Sequence, residues 1–190
     1  MTLLPQTALA SADNKHHNEH NESAYIINFN KADELQKWQS TNDNVMGGKS
    51  QGFLTFDTQY SVFQGVISLE NNGGFSSVYR NIEPLSQGLN TIEIDVQGDG
   101  LTYQLRLAIF INGYRLAYKH DFTTVAGQRQ TIKLSLADFN ASFRGRIIRG
   151  APTLNSEDIK QVGFLLTNKR KGPFSLSLYQ LTINRSISID

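Results

Sequence analysis

The stretch NDNVMGGKS, residues 42–50, ends in the Gly-Gly-Lys-Ser that closes a phosphate-binding loop, so nucleotide binding is the first chemistry to test. Such a loop needs G-x-x-x-x-G-K-[ST], and the position of its first glycine holds Asp43. It must also open a helix whose N-terminus faces the phosphate, whereas Ser50 leads into GFLTF, which reads as a strand. The motif fails on both counts. Gly47-Gly48 are instead expected to let the backbone take up positive φ or approach another segment closely. Asn42 and Asp43 offer a carboxamide and a carboxylate for turn capping or for a site, and Val45 and Met46 are expected to anchor the loop in the core.

LENNGGFSSVYR, residues 69–80, has the same character: polar Asn71-Asn72, a glycine pair, then a strand. A hairpin turn accounts for it. Two Gly-Gly loops flanked by Asn and Ser further suggest backbones packed against each other or against a ligand. Gly98-Asp99-Gly100 is a third turn between strands.

Catalytic candidates are few. A Ser-His-Asp triad would have to use His120, the one histidine after residue 24, and no G-x-S-x-G elbow accompanies it. Carboxylate pairs for glycoside hydrolysis could be drawn from Glu70, Glu93, Asp95, Asp99 and Asp121, but the alternation of TIEIDVQ puts Glu93 and Asp95 on a polar sheet face. Asp99 and Asp121 lack the D-x-D-x-D spacing of a calcium loop. There are no cysteines, which removes thiol catalysis, disulfides and thiolate metal sites together. His16, His17 and His20 lie in a polar leader, without a preformed metal site. No metal and no cofactor are expected.

Two basic clusters, RGRIIRG with Arg144, Arg146 and Arg149, and Lys169-Arg170-Lys171, fall short of a nucleic-acid patch and read as solvated turns, the second a hairpin tip. Arg144 follows Phe139 and Phe143 and is expected to fold back onto a buried loop acceptor. In YQLRLAIFI, Arg106 lies opposite the Leu105 and Leu107 face, and Arg80 ends the NNGGF strand. If Asp43, Arg80 and Arg106 meet, burying them costs several kcal/mol unless each is satisfied, and a structural network is the expected outcome. The full set of candidate ligand- or partner-binding residues is Asn42, Asp43, Asn71, Asn72, Arg80, Asp99, Tyr103, Arg106 and Arg144.

The elements that must position these groups follow a period of two. Runs at 53–56, 62–69, 75–80, 91–97, 103–111, 115–122, 130–136, 162–166 and 174–183 alternate apolar with polar residues. In FSLSLYQLTI the apolar phase slips between Leu178 and Leu181, which predicts a bulge near Tyr179 and Gln180. Ahead of them, Asn30 and Asp33 resemble a helix cap and its partner, with Leu35 and Trp38 sharing a face of one short helix. The chain is therefore all-β, a β-sandwich of jelly-roll type with one short N-terminal helix.

At 190 residues the chain suits one domain. Residues 1–24 read as a disordered leader or signal-peptide remnant and residues 25–190 as a single β-sandwich domain. A net charge of +1 with 18% charged residues sets up no global field, so neither nucleic acid nor an anionic membrane is an expected partner. No apolar run reaches the roughly 20 residues that span a bilayer, so no membrane insertion is expected. Ala10-Ser11-Ala12 resembles a signal-peptidase site without a basic region before it, giving a cytoplasmic location, or a periplasmic one if the leader is a truncated signal. A monomer is expected.

Taken in order, Trp38, NDNVMGGKSQG, SLENNGGFSSVYR, QGDGLTYQLRL, FRGR and KGPFSLSLYQLTI resemble the complex I intermediate-associated protein 30 family across residues 25–185. The resemblance implies a galactose-binding-like β-sandwich and no enzymatic activity. It implies a chaperone-like assembly role toward membrane-arm intermediates of NADH:ubiquinone oxidoreductase, with a protein partner. A bacterial stand-alone domain is expected, since the long N-terminal extension of mitochondrial members is missing. The other binding class compatible with such a sandwich is a glycan-binding module.

Overall fold

The computed structural model describes residues 24–167 and 169–186; the leader with His16, His17 and His20 lies outside them. Thirteen strands form among these residues: β1 (Ala24–Asn28), β2 (Gln39–Asn42), β3 (Gln51–Asp57), β4 (Tyr60–Ile67), β5 (Phe75–Asn81), β6 (Thr91–Gln97), β7 (Thr102–Ile111), β8 (Tyr114–Thr123), β9 (Arg129–Ser135), β10 (Asn140–Phe143), β11 (Arg146–Ile147), β12 (Gln161–Thr167) and β13 (Gly172–Asn184). The nine alternating runs of the sequence are all present as strands.

They pair antiparallel into two sheets. The first runs β3-β4-β13-β6-β9 with β1 beside β13, and the second runs β11-β10-β8-β7-β12-β5-β2. Apolar residues from the two inner faces make one core, with Ile92, Ile94 and Val96 of β6 meeting Leu105 and Leu107 of β7 and Val162 and Phe164 of β12. Phe29, Trp38 and Phe164 close one region of it, the Trp38 and Phe164 rings stacking at 6.0 Å. This is a galactose-binding-like jelly roll.

β13 carries the bulge that its slipped pattern requires, between Leu178 and Gln180. Its first half pairs with β4 and its second half with β1, so the extra residue lets one long strand keep its apolar side inward across the change of neighbour. Asn112-Gly113, at φ 49° and 82°, closes the β7–β8 hairpin with the positive φ angles that a two-residue turn needs.

Three local expectations are corrected. The LENNGGF and Lys169-Arg170-Lys171 segments are not hairpins: β4 and β5, and β12 and β13, belong to different sheets, so each crosses between layers, as does the GDG turn that joins β6 to β7. The short helix is a 3₁₀ segment, Ala32–Lys37, that begins without a side-chain cap; the Asn30 amide donates to Asn28 Oδ1, and the buried residue of the segment is Glu34. Val45 and Met46 do not anchor their loop, being 69% and 60% exposed.

Candidate functional site

The two Gly-Gly loops meet at Asp43. This residue opens a 3₁₀ turn, Asp43–Met46, that Gly47 ends in the left-handed region at φ 87°. Its side chain turns inward and is 0% exposed. Oδ1 accepts from the Ser50 amide at 2.8 Å, and Oδ2 accepts from the Gly74 and Phe75 amides at 2.6 and 3.2 Å. Burial pushes this carboxyl up, but the hydrogen bonds from Ser50, Gly74 and Phe75 outweigh it and hold Asp43 below the ordinary aspartate range. The carboxylate is thus saturated and sealed. It cannot serve as a base toward a ligand.

The glycines are there to let this happen. A Cβ at Gly48 would lie 2.4 Å from Asp43 Cγ, and one at Gly73 would lie 2.6 Å from Asp43 Oδ2. The neighbouring amides of the signature extend the lock: Asn71 Nδ2 donates to the Gly47 carbonyl at 2.9 Å, Asn42 Nδ2 donates to the Gly52 carbonyl at 3.2 Å, and Asn42 Oδ1 accepts from Ser76 Oγ at 2.6 Å. Asn72 is exposed beside them, with φ at 59°. Val45, Met46 and Leu69 project to solvent from the same pair of loops, next to the exposed Lys49–Glu70 ion pair at 2.5 Å.

Arg80 does not join Asp43. It pairs with Glu34, whose Oε1 also accepts from Trp38 Nε1 at 3.0 Å while Oε2 takes Lys37 Nζ at 3.0 Å. Arg80 Nε donates to the Asn81 carbonyl at 2.9 Å and Nη2 donates to the Tyr25 hydroxyl at 3.3 Å. Burial raises the Tyr25 pKa, against the opposing pull of Arg80. Sequence reasoning missed Glu34; the available signal was an acid four residues before Trp38, on the face of the helical turn that must be buried.

Asp99 and Tyr103 do meet, across the Gly98–Gly100 crossover. The Tyr103 hydroxyl, on a side chain at the centre of the core, donates to both Asp99 oxygens at 3.0 Å. The Leu101 and Ser175 amides donate to the same carboxylate at 3.1 and 2.8 Å. Burial and then the Asp99 charge drive the Tyr103 pKa far above the tyrosine range. Beside Asp99 a cavity of about 550 Å³ runs over the outer face of the first sheet, lined by Gln51, Phe53, Gln64, Val66 and Ser175.

Arg106 and Arg144 stay apart from all of these. Arg106 lies on the outer face of the second sheet, as its alternation required, and Nη1 donates to Gln104 Oε1 at 3.0 Å. Arg144 is exposed at φ 47° with its guanidinium 5.4 Å from the Phe143 ring, not folded onto a buried acceptor. The left-handed turn at Arg144-Gly145 leaves the Phe143 and Arg144 side chains exposed. His120 Nδ1 contacts the Asp121 carbonyl at 2.9 Å and its ring packs 5.4 Å from Phe139, an arrangement without a nucleophile. The candidates therefore form three separate structures, the Asp43 lock, the Glu34–Arg80 pair and the Asp99–Tyr103 crossover, with Arg106 and Arg144 on outer surfaces.

Two antiparallel sheets packed face to face make a β-sandwich, the fold shared with solved carbohydrate-binding modules. The structure is similar to the family 11 carbohydrate-binding module from Clostridium thermocellum in complex with a β-1,3-1,4-mixed-linked tetrasaccharide. The TM-score is 0.64 at 14% identity, over 85% of this chain and 96% of that one.

Within that class, the sequence matches the complex I intermediate-associated protein 30 family over residues 27–178, and the chain belongs to this family. It is 26% identical over 180 residues to the mitochondrial complex I intermediate-associated protein 30 of Mus musculus, covering 83% of this chain and 55% of that relative. It is 26% identical over 165 residues to an uncharacterized protein of Schizosaccharomyces pombe, covering 75% of each. The chain thus spans about half the length of the mouse relative.

Proposed function

We propose that this chain is a non-catalytic binding domain that assists, like a chaperone, the assembly of a respiratory or other membrane complex. The observation that carries the reading is the exposure of Val45 and Met46 on a loop that Asp43 clamps from within. Apolar side chains of this size are ordinarily buried, and a rigid loop that holds them in water has the anatomy of a protein-docking rim. Membership of a family with a relative named for complex I intermediates supports a protein partner of that kind. The residues Asn42, Asp43, Asn71 and Asn72 then serve by shaping the rim.

Affinity purification of the tagged full chain from its natural host, followed by mass spectrometry, tests this. Complex I subunits or assembly factors are expected to be enriched, and Val45→Ser with Met46→Ser to abolish the enrichment. No such enrichment, together with normal complex I levels in a deletion strain, overturns it.

A glycan-binding reading is favoured by one separate observation, the cavity beside Asp99, where the exposed Phe53 ring offers a stacking surface and Gln51 and Gln64 offer hydroxyl partners. Calorimetry and a broad glycan array decide it: binding that Phe53→Ala removes supports it, and no binding to any sugar ends it.

A further inference from the structure

The β10–β11 hairpin stands at the edge of the second sheet, where β11 pairs with β10 alone. Its base is built into the fold. Ala141 lies in the core opposite Tyr118, Ser142 is buried opposite Ala117, and the Ile148 amide donates to the Ala141 carbonyl at 2.9 Å. The Tyr118 hydroxyl donates to the Pro152 carbonyl at 2.7 Å and ties down the chain that follows. Beyond that base the ribbon is bare. Every residue from Phe143 to Ile147 is exposed, as is Arg149, and the two large apolar side chains, Phe143 and Ile147, are 63% and 52% exposed. A two-residue turn with positive φ, 47° at Arg144 and 79° at Gly145, closes the ribbon. A Cβ added at Gly145 or at Gly150 would meet no neighbour within 4 Å, so the tip stands free of the sandwich.

Arg144, Arg146 and Arg149 fall within six residues of one another in sequence. Among the described residues none of their guanidiniums has a carboxylate or hydrogen-bond partner; Arg144 has the Phe143 ring at 5.4 Å. Exposed cations elsewhere are matched, Arg129 to Asp95, Lys133 to Glu93 and Lys49 to Glu70. Asp121 and Asp138 line a cavity of about 340 Å³ beside Ile147, but Asp121 is taken by Lys119 at 3.3 Å. The net charge of +1 gives the chain no global field, yet exposed charges act over a Debye length of about 10 Å in 0.1 M salt, so a local cluster suffices to attract an anionic surface.

The register selects the kind of surface. Phe143 stands opposite Arg146 and Ile147 opposite Ser142, so Phe143 and Arg146 share one face of the ribbon while Ile147 lies on the other. A folded partner docks on one face of such a ribbon and leaves the other in water; a lipid interface surrounds a projecting tip on both. We propose that the β10–β11 hairpin is a peripheral anchor to an anionic phospholipid surface. Phe143 and Ile147 enter the boundary between headgroups and acyl chains, and Arg144, Arg146 and Arg149 hold lipid phosphates, their stems lying along the interface. Each arginine near such a surface contributes about fivefold in affinity, so three contribute roughly a hundredfold. With only two apolar side chains to bury, the anchor is reversible. It does not rest on the assembly reading, since it uses no residue of the Val45–Met46 rim.

Sedimentation of the full chain with vesicles tests the anchor. The chain is expected to bind vesicles of phosphatidylcholine and phosphatidylserine in equal parts, to bind them less as salt rises, and not to bind pure phosphatidylcholine. Arg144→Gln with Arg146→Gln and Arg149→Gln is expected to weaken binding roughly a hundredfold. Lys169→Gln with Lys171→Gln, which removes exposed charge before β13, is expected to leave it unchanged. Phe143→Ser is expected to weaken binding at constant charge. Phe143→Trp adds a fluorophore to a chain whose one tryptophan, Trp38, is buried, and its emission is expected to shift to the blue on the anionic vesicles. Should the triple variant unfold by circular dichroism, Arg149→Gln alone, exposed and outside the strands, is expected to weaken binding about fivefold. Absence of binding, equal binding to the neutral vesicles, or binding insensitive to the arginines overturns the proposal. So does an unmoved Phe143→Trp emission. Tighter binding of a labelled polyglutamate than of the anionic vesicles overturns it in favour of an acidic protein surface. Failure to enrich complex I components, with vesicle binding intact, would reject the assembly reading alone.

Discussion

Arg80 Nη1 donates to Glu34 Oε1 inside the sandwich, with the two side chains 9% and 7% exposed. A charge pair this dry draws little net stability from its attraction, because both ions lose hydration; removing one partner is a different matter, since it strands the other. Arg80→Ala leaves Glu34 with Lys37 and Trp38 as partners and is therefore expected to destabilise the fold by about 1.5–3 kcal/mol in urea denaturation. The Arg80→Met, Glu34→Gln double variant is expected to lose less than either stranding substitution. A double variant that loses the sum of both would show that the pair itself, and not the stranded charge, carries the stability.

Asp43 gives a pH dependence with a definite sign. Its folded pKa is lowered, so the unfolded chain takes up the proton first as pH falls. The stability it contributes is present above the ordinary aspartate value of about 3.9 and is lost as pH falls from there through the lowered folded value. Asp43→Asn places N–H groups where Oδ1 or Oδ2 meets backbone amides and is expected to cost about 3 kcal/mol at pH 7. Chemical denaturation from pH 7 to pH 3 should show a shallower loss in Asp43→Asn than in the parent chain. An equal slope would mean that other carboxylates govern acid unfolding.

The alternation of nine strands and the bulge of β13 were legible because one face of each strand is buried and a slip of one residue would expose every apolar side chain. β2, with the sequence QSTN, was not: it holds its place by pairing with β5, and its side chains show no alternation. That the glycine pairs mark close backbone approach was legible in NDNVMGGKS and LENNGG, but which group they approach was not, since Asp43 reaches Gly73 across 30 residues of chain. Val45 and Met46 were misread for a related reason. Their apolar character predicts burial only while burial is a matter of stability, and a fixed 3₁₀ turn with Asp43 inside points the next side chains out. Arg80 was expected to meet Asp43 and Arg106 and pairs instead with Glu34, which lies on an element whose polar residues outnumber its apolar ones.

Tyr103 is expected to contribute to the loss of stability at alkaline pH. Its folded pKa is raised by burial and by Asp99, so the unfolded chain releases the proton first. Its contribution is complete below the ordinary tyrosine value of about 10 and is lost as pH rises beyond it. Tyr103→Phe removes a hydroxyl that donates to a carboxylate and is expected to cost about 1.5–3 kcal/mol at pH 7. It should also flatten the fall in stability between pH 9 and pH 11, followed by thermal unfolding. Burial raises Tyr25 and Tyr118 as well, so the slope should shrink without vanishing. Tyr60 is raised too, by its hydrogen bond with Asp57, and an unchanged slope would assign the alkaline limit to these three residues.

Gly48 and Asp43 should be energetically coupled in a way that neither residue reveals alone. Gly48 is not held at positive φ, so the conformational penalty of adding a side chain there is small, and what opposes it is the Asp43 carboxylate, 2.4 Å from the site of the new Cβ. Gly48→Ala in the parent chain is accordingly expected to cost about 1–3 kcal/mol through overpacking, with the Asp43 side chain displaced from the amides of Ser50 and Gly74. In Asp43→Ala the two carboxylate contacts at 2.4 Å are gone and only the Cβ remains, 2.9 Å away, so part of that clash is relieved. The double variant should then be more stable than the sum of the single losses predicts, by a coupling of about 0.5–3 kcal/mol in a guanidinium denaturation cycle. Additive losses would mean that the Gly48 backbone is restrained by something other than the carboxylate it packs upon, and the lock would have to be reassigned to the Asn71–Gly47 contact.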